Sequence, residues 1–307
     1  MLPRFGPMDF DKVSLERLLG RVEEDVLDAC DASRLRGQHA LVTGAGGSVG
    51  AALLRKLGRY APASLTLFDH SEFHLFQIES ELRQAFPSLP IASVLGDVSR
   101  RAEIRAACRR HRPAVIYHAA AYKHVAMAET AVIAAARVNV LGTVEVVAAA
   151  REVGARLVLV SSDKAAAPRG VMGATKRFAE LFALQRRSRR VPPIAVRFGN
   201  VLGSSGSVLE IMVRAAAAGR KVPVTSPEAT RFFMTAEEAA SLVLKAGLMG
   251  RGGEVFWLEM GAPLRIGDLA TRVIAYATPP DTEPAGIDVI GLRPGEKLRE
   301  ELTSHGL

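Results

Sequence analysis

The sequence predicts an α/β protein: a doubly wound parallel sheet with a smaller lobe toward the C-terminus. Three observations carry that prediction. Short apolar runs rich in β-branched residues alternate with helical patterns between His39 and Phe198. A glycine-rich turn joins the first run to the first helix. Beyond Phe198 the alternation loosens, and glycine, proline and polar residues increase. Alternating strands and helices imply βαβ units, hence a parallel sheet covered on both faces.

Taken in order, residues 1–37 read as a linker-like appendage, charged and patchily apolar, with one helix from Ser14 to about Cys30. Residues 38–198 hold the main domain. Its strands are "HALVT" (39–43), "SLTLF" (64–68), "IASVL" (91–95), "AVIYH" (114–118), "RLVLV" (156–160) and "IAVRF" (194–198). Between them, "SVGAALLRKLGRY", "RAEIRAACRRH" and "NVLGTVEVVAAAREVG" have the apolar spacing of helices packed on a sheet. Residues 199–307 form mainly the lobe, with "EVFWL" (254–258) and the helix "RIGDLATRVIAYA" after it; part of this stretch returns to the main sheet.

Composition narrows the function classes. At 307 residues and 49% hydrophobic, the chain is long enough for one large domain with a lobe. No run of about 18 apolar residues is evident, and "MLPRFGPMDFDK" lacks a basic segment leading into an apolar one. Membrane association is therefore expected only through a longer natural N-terminus. The formal charge is +8, with arginines clustered at 109–112 and in "RRSRR" (186–190). No aromatic residues interleave with them as a stacking platform for bases requires, so nucleic acid is not the expected partner. Cys30 and Cys108 are far apart and have no metal-ligand spacing, which suits a reducing compartment and predicts no metal site.

The turn "TGAGGSVG" (43–50) places Gly44, Gly47 and Gly50 at three-residue spacing, with Ser48 and Val49 opening the helix. Such a turn allows close backbone approach to a pyrophosphate and aims helix N–H groups at its oxygens. Asp69 follows Gly50 by nineteen residues at the end of the second strand, positioned to accept from adenosine ribose hydroxyls. Its charge would repel a 2′-phosphate, so NAD is favoured over NADP, with His70 adjacent. Asp97 and Val98 in "GDV" suit the adenine. Ala119, Ala120 and Ala121 put small residues beside the cofactor. Asn139 in the next helix either faces the cofactor or satisfies backbone.

At the fifth strand's end, Ser161, Ser162, Asp163 and Lys164 crowd together, and Lys176 lies one helical turn beyond Met172. A lysine there hydrogen-bonds a nicotinamide ribose; methionine transfers no proton. The neighbouring acid and base can divide an elimination, one protonating a leaving group while the other takes a proton from carbon.

Those segments, with "LFDHSEFHLFQIE", "HAAAYKHV", "VNVLGT", "SSDKAAAPRGVMGATK", "VRFGNVLGSSGSV", "TRFFMTAEEA" and "GLRPGEKL", closely resemble the nucleotide-sugar 4,6-dehydratases. These are extended short-chain dehydrogenase/reductase enzymes of polysaccharide biosynthesis, with a Rossmann-like fold and a substrate-binding lobe, acting on UDP-N-acetylglucosamine. The resemblance covers about residues 38–301 and is to the variant with methionine at the Met172 position. It implies NAD as cofactor, a UDP-sugar substrate, a cytoplasmic location, which includes the cytoplasmic face of the inner membrane, and a homo-oligomer, dimer or larger. It implies C4 oxidation, loss of water across C5 and C6, and hydride return to C6. Ser162, where relatives carry threonine, would receive the C4 hydroxyl proton; Asp163 would protonate the leaving oxygen and Lys164 would deprotonate C5. Lys176 would orient the ribose, and Met172 would pack against sugar or nicotinamide. Arg231 and Arg293 would hold the diphosphate. Asn200, Ser207 and Val208 would shape the nucleotide pocket, with Lys123 on the substrate side and Glu296 orienting an arginine or the uridine. Two other readings stay open: epimerisation of a nucleotide sugar at C4 or C5, and a non-catalytic NAD-binding homologue.

Overall fold

The computed structural model describes residues 12–185, 192–204, 206–257, 260–278 and 283–301. The arginine run 186–190 and Ser205 lie outside the described residues.

Strands β1 (His39–Thr43), β2 (Ser64–Asp69), β3 (Ile91–Leu95), β4 (Val115–His118), β5 (Arg156–Val160) and β6 (Ile194–Arg197) fall within a residue of the expected runs. Beyond β6 come short strands β7 (Asn200–Val201), β8 (Val222–Val224), β9 (Thr230–Arg231), β10 (Phe233–Met234), β12 (Leu264–Arg265) and β13 (Ile287–Val289), while β11 (Val255–Trp257) returns to the main sheet. The main sheet has seven strands in the order β11-β6-β5-β4-β1-β2-β3, every pairing parallel. The direction of winding reverses between β1 and β4. Ligand crevices of doubly wound sheets open at that point.

Helices flank the sheet: α3 (Ser48–Arg59), α4 (Glu72–Ala85), α5 (Arg101–His111), α6 (Val125–Thr130), α7 (Val132–Ala136), α8 (Gly142–Val153), α9 (Val171–Gln185) and α11 (Ala236–Met249). Successive strand residues point to opposite faces, so the sheet feeds two cores. Val42, Leu67, Tyr117 and Val158 join Leu54 and Leu57 of α3 and Val243 of α11. Leu41, Ile116 and Leu157 join Ile104 of α5 and Val146 of α8. A third core, of Met212 in α10 (Val208–Ala217), Leu269 in α12 (Ile266–Ala277) and Val224, builds the lobe.

Two expectations need correction. The single N-terminal helix is two, α1 (Lys12–Leu19) and α2 (Ala29–Leu35). Gly20 ends the first, and a reciprocal capping box between Asp28 and Asp31 starts the second. This segment is fastened on both sides: Leu18 enters the lobe core and Leu35 the sheet core. Arg21 pairs with buried Glu238, Asp25 with Lys56 at 2.7 Å, and Asp31 with Lys245 at 2.5 Å.

The second correction concerns apolar length. The helical run Val132–Val153 is 22 residues long and apolar enough to cross a bilayer by length and composition. Here it serves as a core helix, because Val146, Val147, Ala149 and Ala150 join the buried cluster on the sheet.

Candidate active site

The glycine turn leaves β1 with Gly44 at φ +67°, and a Cβ there would lie 2.7 Å from the Ala120 nitrogen. The turn therefore rests on the backbone of Ala119 and Ala120, and only glycine fits. A Cβ on Gly50 would overlap the Gly44 carbonyl oxygen. Gly47 caps α3, so no side chain blocks the helix's first turn. Asp69 is buried and holds this loop in shape: its carboxylate accepts from Gly46 N–H and Ser71 N–H, both at 2.9 Å. His70 is exposed, with Nδ1 3.3 Å from Asp69. Asp97 accepts from Ser99 N–H and Oγ–H, both at 2.8 Å. Val98 is buried in the same core as Leu41 and Phe68, whereas Ala119, Ala120 and Ala121 are half-buried.

Asn139 is a hook for the loop after β4. Its Oδ1 accepts from Tyr122 N–H at 2.8 Å, and Nδ2 donates to Tyr122 O and Thr175 Oγ1, each at 3.0 Å. It projects from a π-helical turn, Arg137–Leu141. Of the two roles open to it, the structure displays the backbone-satisfying one. His118, which the sequence did not single out, bridges Thr43 Oγ1 at 2.7 Å and Thr143 Oγ1 at 3.1 Å. Burial, reinforced by Lys176, pushes it down to about 3, so it is a neutral staple between β1, β4 and α8.

At the end of β5 the two serines part company. Ser161 donates to Glu180 at 2.6 Å, and Glu180 also receives Arg197 through two bonds of 2.8 and 2.7 Å. This buried, doubly bonded carboxylate fixes the strand end. Ser162 is half-buried and donates to Asp163 Oδ1 at 2.9 Å. Lys164 Nζ donates to the same Oδ1 and to Asn200 Oδ1, each at 2.9 Å. Asp163 is wholly buried, and its Oδ2 has no hydrogen-bond partner. An unmatched buried polar atom costs about 1–3 kcal/mol, an expense expected at a working site and not in a passive core.

Lys176 is buried and donates to the Val160 carbonyl at 2.8 Å. Burial pushes its ammonium down to about 8, with Glu180 opposing. Met172 is buried against Ala128 and Ala135 and lines a small cleft with Lys164, Arg169, Lys297 and Glu300. Glu129, another residue the sequence did not mark, accepts from Val171 N–H at 2.6 Å and so caps the helix bearing Met172 and Lys176.

The C-terminal segment lines the same cleft through Gly295, Lys297 and Glu300. Arg231 is buried, and its guanidinium donates to the carbonyls of Thr230 (2.8 Å), Lys297 (2.6 Å) and Leu298 (3.2 Å). In this structure it clamps the C-terminal segment. Arg293 is exposed, and Glu296 accepts from the Arg293 backbone N–H at 3.1 Å, closing a turn. Ser207 caps α10 by accepting from Glu210 N–H at 3.4 Å, and Val208 packs on the lobe core. Lys123 is exposed, next to His124, whose ring lies against Gly206. Glu300 is buried among Lys164, Arg231 and Lys297; burial raises its carboxyl, with Lys164 opposing.

Ser162, Asp163, Lys164 and Asn200 are thus brought together at the strand ends, with Met172 and Lys176 on the adjoining helix. Asp163 and Lys164 form an ion pair at 2.9 Å.

Fold and strand-end geometry define a class first: a Rossmann-like α/β protein with a glycine turn at its first βα junction and an Asp–Lys ion pair at the end of its fifth strand. The chain belongs to the polysaccharide biosynthesis protein family, whose model matches residues 40–306. It is 42% identical over 295 residues to the capsular polysaccharide biosynthesis protein CapD of Staphylococcus aureus, covering 95% of this chain and 49% of that protein. The chain therefore spans about half the length of that relative. A UDP-N-acetylglucosamine 4,6-dehydratase (inverting) of Campylobacter jejuni is 30% identical over 87% of this chain and 78% of its own length. A UDP-glucose 4-epimerase of Rickettsia massiliae is 30% identical over 86% and 77%. The X-ray structure of Pen from Bacillus thuringiensis superposes with a TM-score of 0.82 at 31% identity, covering 88% of this chain and 84% of that one.

Proposed function

We propose that the chain is an NAD-dependent nucleotide-sugar 4,6-dehydratase acting on a UDP-N-acetylhexosamine, with UDP-N-acetylglucosamine the leading substrate. The observation that carries this reading is the 2.9 Å Asp163–Lys164 pair at the end of β5, held beside Asn200. Loss of water across two carbons needs one acid and one base on adjacent atoms. C4 epimerisation moves a hydride and a hydroxyl proton at C4 alone and needs no such pair at C5 and C6. The sequence likeness to the C. jejuni dehydratase supports the same reading, while equal identity to the R. massiliae epimerase makes epimerisation the competing one.

The residues present fit NAD. The bare Gly44–Gly50 turn would admit a pyrophosphate, Asp69 stands at the end of β2 for a ribose, and Lys176 retains N–H donors beyond its Val160 bond. When bound, NAD supplies the oxidation at C4 and its reversal at C6. Ser162 would take up the C4 hydroxyl proton and pass it on to solvent. Lys164, once its proton has passed to Asp163, would take the C5 proton. The C5–H electrons form the C5–C6 double bond as the C6–O bond breaks, and Asp163 protonates the departing oxygen as water, which restores the ion pair. When hydride returns to C6, C5 takes up one proton from solvent, balancing the one released at C4. Met172 contributes shape alone.

Exposed Met127, Ile133, Leu141, Phe178 and Leu181 on neighbouring helices support assembly into a homo-oligomer. On this reading the protein works in the cytoplasm, which includes the cytoplasmic face of the membrane.

The test is incubation with UDP-N-acetylglucosamine followed by product mass. Loss of one water supports dehydration; unchanged mass with altered stereochemistry sinks it in favour of epimerisation. Lys164→Ala is expected to keep NAD affinity while nearly abolishing keto-sugar formation.

A further inference from the structure

The region around Lys164 contains more charge than the elimination consumes. Its Nζ has two acceptors at hydrogen-bond distance, Asp163 Oδ1 and Asn200 Oδ1. On a further side stands Glu300, with Oε1 3.8 Å away: too far for a hydrogen bond, near enough to hold a cation. The same Oε1 lies 3.9 Å from Arg231 Nε, and Oε2 lies 3.7 Å from Lys297 Nζ. Glu300 Oε2, Lys297 Nζ and Asp163 Oδ2 are all buried without a hydrogen-bond partner. Three unmatched polar atoms around one lysine make a site that becomes tightly bonded only when something shifts by about an ångström.

Backbone fixes where Glu300 stands. Thr230 N–H donates to the Leu298 carbonyl at 2.9 Å, Thr230 and Arg299 form a bridge, and Arg231 grips the carbonyls of Lys297 and Leu298. The C-terminal segment, which carries the substrate-side candidates Arg293 and Glu296, therefore delivers Glu300 to Lys164 as a unit. The groups facing Glu300 are Lys164 and Asp163 from the turn after β5, Arg231 from β9 and Lys297 from its own segment.

We propose that Glu300 is a positioning residue for Lys164: it couples the seating of the C-terminal segment to the direction in which Nζ meets the substrate. This rests on the dehydratase reading. Asp163 and Asn200 restrain Nζ from one side, and Glu300 completes the restraint when the segment seats on substrate. It takes part in no bond making, so its effect falls on the elimination and not on the preceding C4 oxidation, which does not use Lys164.

Glu300→Gln, with Glu300→Asp as the shortened carboxylate, tests this by steady-state turnover of UDP-N-acetylglucosamine, reduced-nicotinamide absorbance in a single turnover, and deuterium incorporation at C5 from heavy water. The expected result for E300Q is a fall in kcat of about tenfold to a hundredfold with KM within about twofold. Reduced nicotinamide should build up and C5 exchange should slow, with E300D intermediate between E300Q and wild type. Unchanged kcat with no build-up overturns the proposal. So does a raised KM with unchanged kcat, which would make Glu300 part of substrate binding only. If E300Q does not fold, E300D decides by the same readouts: slowed elimination supports the coupling and wild-type behaviour refutes it. A wild-type protein that never releases water from the sugar refutes the parent reading instead, so the two failures are distinct.

Discussion

Replacing Lys176 with methionine should make the ligand-free protein more stable while removing its activity. Lys176 is 7% exposed and its ammonium is pushed by burial from 10.5 down to about 8. At 1.36 kcal/mol per pH unit, holding that charge in the folded state costs about 3 kcal/mol at neutral pH. Methionine removes the charge with little change of volume and forfeits the bond to the Val160 carbonyl, about 1 kcal/mol. The net gain is about 2 kcal/mol. The pH dependence follows from protons bound. Below the folded value of about 8 the lysine is charged in both states, so the deficit of the wild type is constant. Between about 8 and 10.5 the unfolded chain holds the extra proton, so wild-type stability rises with pH and the advantage of Lys176→Met fades. Urea melts of both proteins at neutral pH and near the upper end of that window measure the two gaps. A wild type more stable than the variant at neutral pH, or a gap independent of pH, would refute the reasoning.

Two other substitutions probe separate parts of the molecule. Gly50→Ala places a methyl on the Gly44 carbonyl, so the turn must move; NAD affinity by titration calorimetry should fall at least tenfold, and stability by about 1–3 kcal/mol. Arg21→Ala leaves the buried Glu238 carboxylate with only the Thr235 and Glu24 N–H groups, and denaturant unfolding should show a loss of about 1–3 kcal/mol without a change in KM.

How much of this was legible in the sequence depends on the range of the interaction. The strands were readable because a sheet covered on both faces demands nearly continuous apolar runs, and "HALVT" and "RLVLV" are such runs between polar turns. The Ser162–Lys164 group was readable because three of its members are adjacent in sequence. Glu129, Glu180 and Glu300 were not. Each acquires its partner across a long stretch of chain: Glu129 from Val171, Glu180 from Arg197, Glu300 from Lys164. A buried carboxylate whose cation or N–H comes from another element leaves no periodic trace, and in the sequence it looks like a solvated surface residue. Arg231 illustrates the converse. Its motif context suggested a phosphate ligand, but the carbonyls that occupy it lie 66 and 67 residues away. The N-terminal helix was misjudged because its apolar spacing continues past Gly20, while the Asp28–Asp31 capping box restarts the helix on a new axis.

The segment from Leu18 to Leu35 also has a mechanical meaning. Its two apolar ends are sunk in different cores, and the stretch between them is stitched to α11 and α3 by Arg21, Asp25 and Asp31. It acts as a tie-rod between the lobe and the sheet. Force drawn along the N-terminal backbone meets the lobe first and the sheet second, and the ion pairs between them share the load. The angle between lobe and sheet is thereby held by a piece of chain outside both cores' main elements.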